Sequence, residues 1–536
     1  MQIKFSNKRF FLYFSILIIF LYSLLFDSCK FSQSKKAHEG FNPRQGVYYS
    51  LFVRSFADSN GDGIGDFNGI AQNLDYLSSL GISGIWLLPI YPSHSYHGYD
   101  VDNYYEVNPE YGSMEDFENL VSQCHERGIA VMLDITFNHS SVHNEWFVAS
   151  KNPTEPHRNW YRWLSSDEAA HRLNQKIWGH ALWNECNGSY YSGEFYDGMP
   201  DYNLDCKELR EELKRVLAFW IDKGVSGFRF DAAGHIYDKI KMPEGFSDSI
   251  QSSVGFWKEI SEFVKQRSPE SYCVAEVWDK SGIRAQFLSG LESVFHFDIG
   301  DTYIQNILTT KNAGNNKLAH VLENDYTACS SFNPNFIDAP FLTNHDQARA
   351  ASLIKGGAEP LKVAAGMYIL TQGIPFIYYG EELGMKSGAR DESKRTPFLW
   401  SNTQDGKKAK IPNFQTTWAS DDDSVYNAKT EGVKQQEKDK NSLLNYYKRL
   451  VAFRNACPAF KGKLTAFDTG NKSLCTWIMS HQEKNAFVVH NISETEQEVS
   501  LPEGYSYPSA FCSKPVKDNK NGSVLLQPMS TAVFCK

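Results

Sequence analysis

Eight short apolar runs recur along most of this chain, at 47–53, 82–88, 129–135, 225–230, 272–276, 294–297, 339–343 and 375–378. Amphipathic stretches fill the intervals; at 208–221, Leu209, Leu213, Val216, Leu217 and Trp220 share one helical face. Buried strands alternating with helices in that number predict a closed parallel (β/α)8 barrel. Two intervals are too long for plain connections. The stretch 139–205, rich in Trp, Asn, Gly and Tyr, predicts a domain inserted after the third strand, and the polar stretch 386–440 predicts an excursion over the barrel mouth. After Cys457 the pattern changes to short alternating runs at 474–479, 486–490 and 523–527, which predict an antiparallel β-sandwich at 457–536. The barrel then takes 46–138 and 206–456.

The composition excludes some functions. A net charge of −9 and the lack of any basic run argue against a nucleic-acid surface. Aromatic residues make up 14% of the chain; much of that is core, and some could serve as stacking platforms for an uncharged ligand such as a sugar, which composition does not separate. At the N-terminus Lys4, Lys8 and Arg9 precede an apolar run at 10–26, the pattern of an export signal. The run is also near the length of a short membrane span, so an uncleaved anchor is the alternative. Ser28 before Cys29 resembles a bacterial lipoprotein cleavage site, with Cys29 becoming the lipidated first residue. Either way 1–28 is a signal or anchor, 29–45 a polar tether, and the body is expected to be exported, periplasmic or at the cell surface, and tied to a membrane. The cysteines lack the spacing of a disulfide framework or a zinc site, although Cys186 and Cys206 flank one segment and could pair.

Acidic groups gather at one end of the strands. Arg229 and Asp231 lie two apart at the tip of the fourth, on one face, and form either a closing salt bridge or a working pair. Asp134, Asn138 and His139 follow the third strand, Glu276 ends the fifth, and His345 and Asp346 follow the seventh. In a barrel these ends converge on the face that carries active sites. Independent salt bridges need not cluster there, so the joint pattern points to catalysis.

Four segments carry a family resemblance: Asp134-Ile-Thr-Phe-Asn138-His139, Gly227-Phe-Arg229-Phe-Asp231, Ala275-Glu276-Val-Trp278 and Thr343-Asn-His345-Asp346. In this order they resemble the signature segments of the α-amylase family of glycoside hydrolases, from about Gly46 to the end of the chain. The resemblance implies α-glucan substrates, with Asp231 as nucleophile, Glu276 as acid/base and Asp346 as the third carboxylate, gripping the sugar hydroxyls. It also implies that His139 and His345 bind the same sugar, that Tyr99 of His97-Gly98-Tyr99-Asp100 is its aromatic floor, and that Asp134 supports the barrel. The chemistry agrees: retaining cleavage needs two carboxyls about 5–5.5 Å apart, and neighbouring strands about 4.8 Å apart make that feasible. Arg229 is expected to keep Asp231 ionised, and neighbouring carboxylates to keep Glu276 protonated.

Asp58-Ser-Asn60-Gly-Asp62-Gly-Ile64-Gly-Asp66 starts like an EF-hand loop but has Gly69 where that loop closes with Glu. The family carries this loop as a Ca2+ site, through Asp58, Asn60, Asp62, the Ile64 carbonyl and Asp66; a plain polar turn is the alternative. A second calcium is implied by matching positions at Asn138, Asp201 and the carbonyl of His235. Asp201 lies in Met199-Pro-Asp201-Tyr-Asn203, which resembles a segment intermediate between oligo-1,6-glucosidases and neopullulanases. Ala232-Ala233 resembles α-1,4-acting members, His235 matches amylases, and Gly234 stands where they usually carry Lys. The expectation is therefore a monomeric endo-hydrolase of starch or maltodextrin. The same-class alternative is an exo-acting α-glucosidase or transglycosylase; the different-class alternative is a non-catalytic glucan-binding or transporter-associated protein, which would be expected to lack the catalytic carboxylates.

Overall fold

The computed structural model describes residues 41–401 and 414–536. The expected signal or anchor at 1–28 and most of the expected tether, Cys29 included, lie outside the described residues. Eight parallel strands form one sheet: β1 Tyr48–Leu51, β2 Gly84–Leu87, β3 Ala130–Ile135, β4 Gly227–Phe230, β5 Tyr272–Ala275, β6 Ser293–His296, β7 Ile337–Pro340 and β8 Phe376–Tyr378. Their order is β7-β6-β5-β4-β3-β2-β1-β8. A parallel bridge from Phe341 to Phe376, with Ile374 N–H donating to Asp338 O at 2.8 Å, joins β7 to β8 and closes the (β/α)8 barrel.

The strands are buried because helices cover them; all six residues of β3 (AVMLDI) are inaccessible. The covering helix Lys207–Asp222 buries Leu209, Leu213, Val216, Leu217 and Trp220, the face read from its periodicity. A side chain at Gly227 would put its Cβ 1.8 Å from Tyr272 O, so only glycine lets β4 come this close to β5. That pairing continues past the strand ends, where Glu276 N–H donates to Phe230 O at 2.9 Å and brings Glu276 beside Asp231.

Between β3 and the Lys207–Asp222 helix the chain forms an antiparallel sheet of Trp163–Ser165, Ser189–Ser192 and Trp183–Cys186, and a small hairpin of Lys176–Ile177 with His180–Ala181. Bridges from His139 to Asp201 and from Tyr161 to Tyr202 fasten its two ends together. Cys186 and Cys206 do not bond here: both are free thiols, and Cys206 points to Glu208 Oε2 at 3.3 Å as its helix begins.

Past the barrel, a five-stranded sheet (Lys463–Ala466, Leu474–His481, Lys484–Asn491, Ser530–Cys535, Phe511–Cys512) and a three-stranded one (Gln497–Ser500, Ser523–Leu526, Val516–Asp518) make the antiparallel sandwich. Along Lys484–Asn491 the period of two divides the burial: Phe487 and Val489 pack with Val524 and Leu526, whereas Ala486 and Val488 join the barrel core. Trp477 on the same barrel-facing side donates its Nε1–H to Leu370 O at 3.0 Å.

Candidate active site

Arg229 organises the mouth of the barrel. On β4 it pairs in register with Asp134 of β3, and it is almost wholly buried. Its Nη1 donates to Asp134 Oδ1 at 2.8 Å and to Asp231 Oδ1 at 2.5 Å, and its Nη2 donates to Glu276 Oε2 at 2.9 Å. One guanidinium thus holds three carboxyls from three consecutive strands. Glu276 Oε2 also accepts the Ala232 N–H at 2.9 Å. Ala232 aims that N–H from a left-handed backbone (φ 47°), a conformation a non-glycine residue adopts at a cost and that recurs at functional sites.

Burial pushes both Asp231 and Glu276 up to about 7; Arg229 pulls both down, while Asp346 raises both and Asp231 also raises Glu276. For Asp231 the outcome differs from the sequence-based expectation: burial outweighs Arg229. With one cation among three carboxyls, Asp231 and Glu276 titrate as a pair near neutrality. Asp134, also raised by burial, accepts from Trp86 Nε1 and Tyr99 Oη at 3.1 Å each, which makes it the support of the floor.

Tyr99 stacks on His345 with ring centroids 5.5 Å apart, and its Oη lies 2.6 Å from His345 Nε2. His345 Nε2 is also 3.1 Å from Asp346 Oδ2. Burial, with Arg395 and Arg229 nearby, keeps His345 neutral; burial and Lys241 do the same for His139, whose Nε2 is 3.2 Å from Tyr99 O. Asp231, Glu276, Asp346, Tyr99, His139 and His345 line one cleft of about 710 Å³, with Arg229 beneath it.

The same cleft holds groups that the sequence patterns did not single out. Arg395, from the excursion after β8, donates to Asp346 Oδ1 at 3.0 Å and to Tyr96 Oη at 2.8 Å and pairs with Asp391. Trp178 and Trp278 line the opening while 60% and 51% exposed, flat apolar faces left in water. Trp278 lies inside a recognisable segment, whereas Trp178 has only a Trp-Gly turn to mark it. Gly234 has room: a Cβ there would meet nothing nearer than Val277 Cγ1 at 3.7 Å.

The model for the catalytic domain of alpha amylase matches residues 50–462, and that for the alpha-amylase SusG C-terminal domain matches 474–533. The chain belongs to the alpha-amylase family. As a glycoside hydrolase of that family it is 37% identical to Alpha-amylase 3 of Dictyoglomus thermophilum, over 99% of both chains. It is 30% identical to a 4-alpha-glucanotransferase of Thermotoga neapolitana, over 84% of this chain and 96% of the other. Among solved structures, the alpha-amylase from H. orenii superposes with a TM-score of 0.82 at 33% identity, covering 92% of this chain and 100% of that one.

The two regions from which calcium is implied differ. In the loop, Asp58 Oδ1 accepts N–H groups of Asn60 (3.1 Å) and Gly61 (2.6 Å), Asn60 Oδ1 accepts that of Asp62 (2.9 Å), and Asp62 Oδ1 that of Ile64 (2.8 Å). These successive turns string oxygens along one short loop. No lysine or arginine among the described residues pairs with Asp58, Asp62 or Asp66, so their charge suits a hard cation. Asp66 is the most committed of them, capping the helix Phe67–Gln72 through Gly69 N–H at 2.7 Å. In the second region Asn138 Nδ2 does meet Asp201 Oδ1 at 3.2 Å, but the His235 imidazole turns to Glu194 Oε1 at 2.8 Å and its carbonyl accepts Asp238 N–H at 3.0 Å. Glu194, His235 and Asp238 cluster there, beside Lys241.

Proposed function

We propose that the protein is a retaining endo-hydrolase of α-1,4-glucosidic bonds in starch- or maltodextrin-type α-glucans. The observation that carries this reading is the single guanidinium of Arg229 holding Asp231 and Glu276 together at the floor of an open, aromatic-rimmed cleft. Asp231 attacks the anomeric carbon as Glu276 gives its proton to the departing glycosidic oxygen. Both hydrogen bonds to Glu276 fall on Oε2, which leaves Oε1 to carry that proton. Water then adds to the anomeric carbon, Glu276 takes its proton back, and Asp231 departs, so the configuration is retained. Asp346, braced by Arg395, holds the sugar hydroxyls, and Tyr99 and His345 form the stacked floor beneath the ring. Calcium in the 58–66 loop would serve as a structural clamp, held by Asp58, Asn60, Asp62, Asp66 and the Ile64 carbonyl.

The exo-acting or transferase reading draws on Arg395 and Asp391, an ion pair that narrows the cleft wall beside Asp346. The likeness to the 4-alpha-glucanotransferase of Thermotoga neapolitana supports it. A product time course on a long maltooligosaccharide separates the readings. Mixed maltooligosaccharides of α-configuration should form first; glucose alone from the earliest times would sink the endo reading, products longer than the substrate would point to transfer, and β-anomers would sink retention. Asp231→Asn should lower turnover by at least about 10⁴-fold while substrate still binds, and near-wild-type rates would reassign the nucleophile. A non-catalytic carrier is disfavoured because all three carboxylates are present at the barrel mouth. From the sequence alone we also propose an exported, membrane-tethered lipoprotein; among the described residues no helix is long and apolar enough to cross a membrane.

A further inference from the structure

Where the inserted segment meets the barrel, Asn138, Glu194 and Asp201 bring their side-chain oxygens together with almost no solvent access. Asn138 Nδ2 donates to Asp201 Oδ1 at 3.2 Å, and Asp201 Oδ2 accepts the Glu194 N–H at 3.1 Å. Two carboxylates and an amide carbonyl form the kind of all-oxygen set that takes a hard divalent cation. The set is already filled. Lys241 Nζ lies 2.6 Å from Asn138 Oδ1, 2.8 Å from Glu194 Oε2 and 3.6 Å from Asp201 Oδ1, with its side chain at 0% exposure. A Ca2+ ion needs those oxygens at about 2.3–2.6 Å, and it cannot share them with an ammonium nitrogen at the same distance. The His235 carbonyl, the third ligand expected from the sequence, spends one of its two lone pairs on the Asp238 N–H.

We propose that the Lys241 ammonium is a built-in cation standing in place of a second calcium, so that this junction is held together without a divalent ion. The substitution is consistent electrostatically. A lysine supplies one charge where calcium supplies two, and the remaining negative charge faces His235, whose Nδ1 lies 2.8 Å from the other oxygen of Glu194. Glu194 thereby links Lys241 to His235, which lines the substrate cleft.

The test counts cations in the full chain after EDTA treatment and dialysis, by calorimetric titration with calcium chloride. At most one site is expected, and it should vanish in Asp62→Ala, a change on the exposed rim of the 58–66 loop. Two sites in the wild-type chain, or one that survives Asp62→Ala, would put calcium at the junction and overturn the proposal. No binding at all would count against the 58–66 loop while supporting the ammonium, so the two readings fail separately. Lys241→Ser supplies the converse. It takes the buried ammonium away from Glu194 and Asp201, so the melting temperature in EDTA should fall by about 5 °C or more. Calcium should then restore it through a new site that persists in the Lys241→Ser/Asp62→Ala double variant. A loss that calcium does not restore would show that the pocket is no cation site. Should Lys241→Ser fail to fold, the wild-type stoichiometry decides alone.

Discussion

At the scale of single residues, the site is governed by how three buried carboxyls share one guanidinium. The proposed mechanism requires Asp231 ionised and Glu276 protonated, and burial has lifted both to about 7. As pH rises, the pair first loses one proton and becomes active; Asp231, with the shorter contact to Arg229, is the better place for that charge. Loss of the second proton, through about 7, removes the acid, so kcat/KM should trace a bell whose alkaline side belongs to Glu276. Glu276→Gln, assayed on an α-glucosyl fluoride whose leaving group needs no proton, should keep the acid limb and lose the alkaline one. An alkaline limb that persists near 7 would take it away from Glu276, and one displaced up to about 10 would point to His235, whose ring burial would lower but whose hydrogen bonds to the Asp238 and Glu194 carboxylates lift to about 10.

At the scale of elements, the strands were legible because buried parallel strands are continuous apolar runs, and the two-residue spacing of Arg229 and Asp231 placed both on one face. The seventh strand shows the limit. Its run suggested 339–343, whereas β7 starts at Ile337, because Asp338 looks like a loop residue; it is buried, with His296 Nδ1 3.1 Å away. Likewise Lys241, Glu194 and Arg395 sit in aperiodic segments, and their partners come from distant parts of the chain, so no local pattern announces them. Arg395 shows what such a segment contributes. It is 4% exposed and braces Asp346, so Arg395→Ala should lower kcat/KM by about 10²-fold, and Arg395→Lys should restore only part of it because the forked geometry is lost. Combined with Asp346→Asn, Arg395→Ala should add little, since the two act as a unit. Additive losses would mean that Arg395 acts on the substrate independently.

At the scale of the whole molecule, the first described residues show at which end of the barrel the N-terminal segment joins the body. Phe41 packs against the barrel core, and Arg44 reaches Glu292 Oε2 at 3.1 Å and Ser271 O at 2.9 Å. Ser271 and Glu292 immediately precede β5 and β6, so the chain enters at the N-terminal ends of the strands. Asp231, Glu276 and Asp346 stand at the opposite ends, and the sandwich packs against the barrel through Trp477 and Val488 without contributing to the cleft. A tether running from Cys29 to this end would direct the cleft away from the membrane, toward soluble glucan. Cys29→Ser should therefore shift the protein from the membrane to the soluble fraction and leave kcat/KM on a soluble maltooligosaccharide within about twofold, since no group of the cleft is disturbed. Retention in the membrane fraction would favour an uncleaved apolar anchor over lipidation. A large change in kcat/KM on release would mean that the membrane face and the cleft are not on opposite sides.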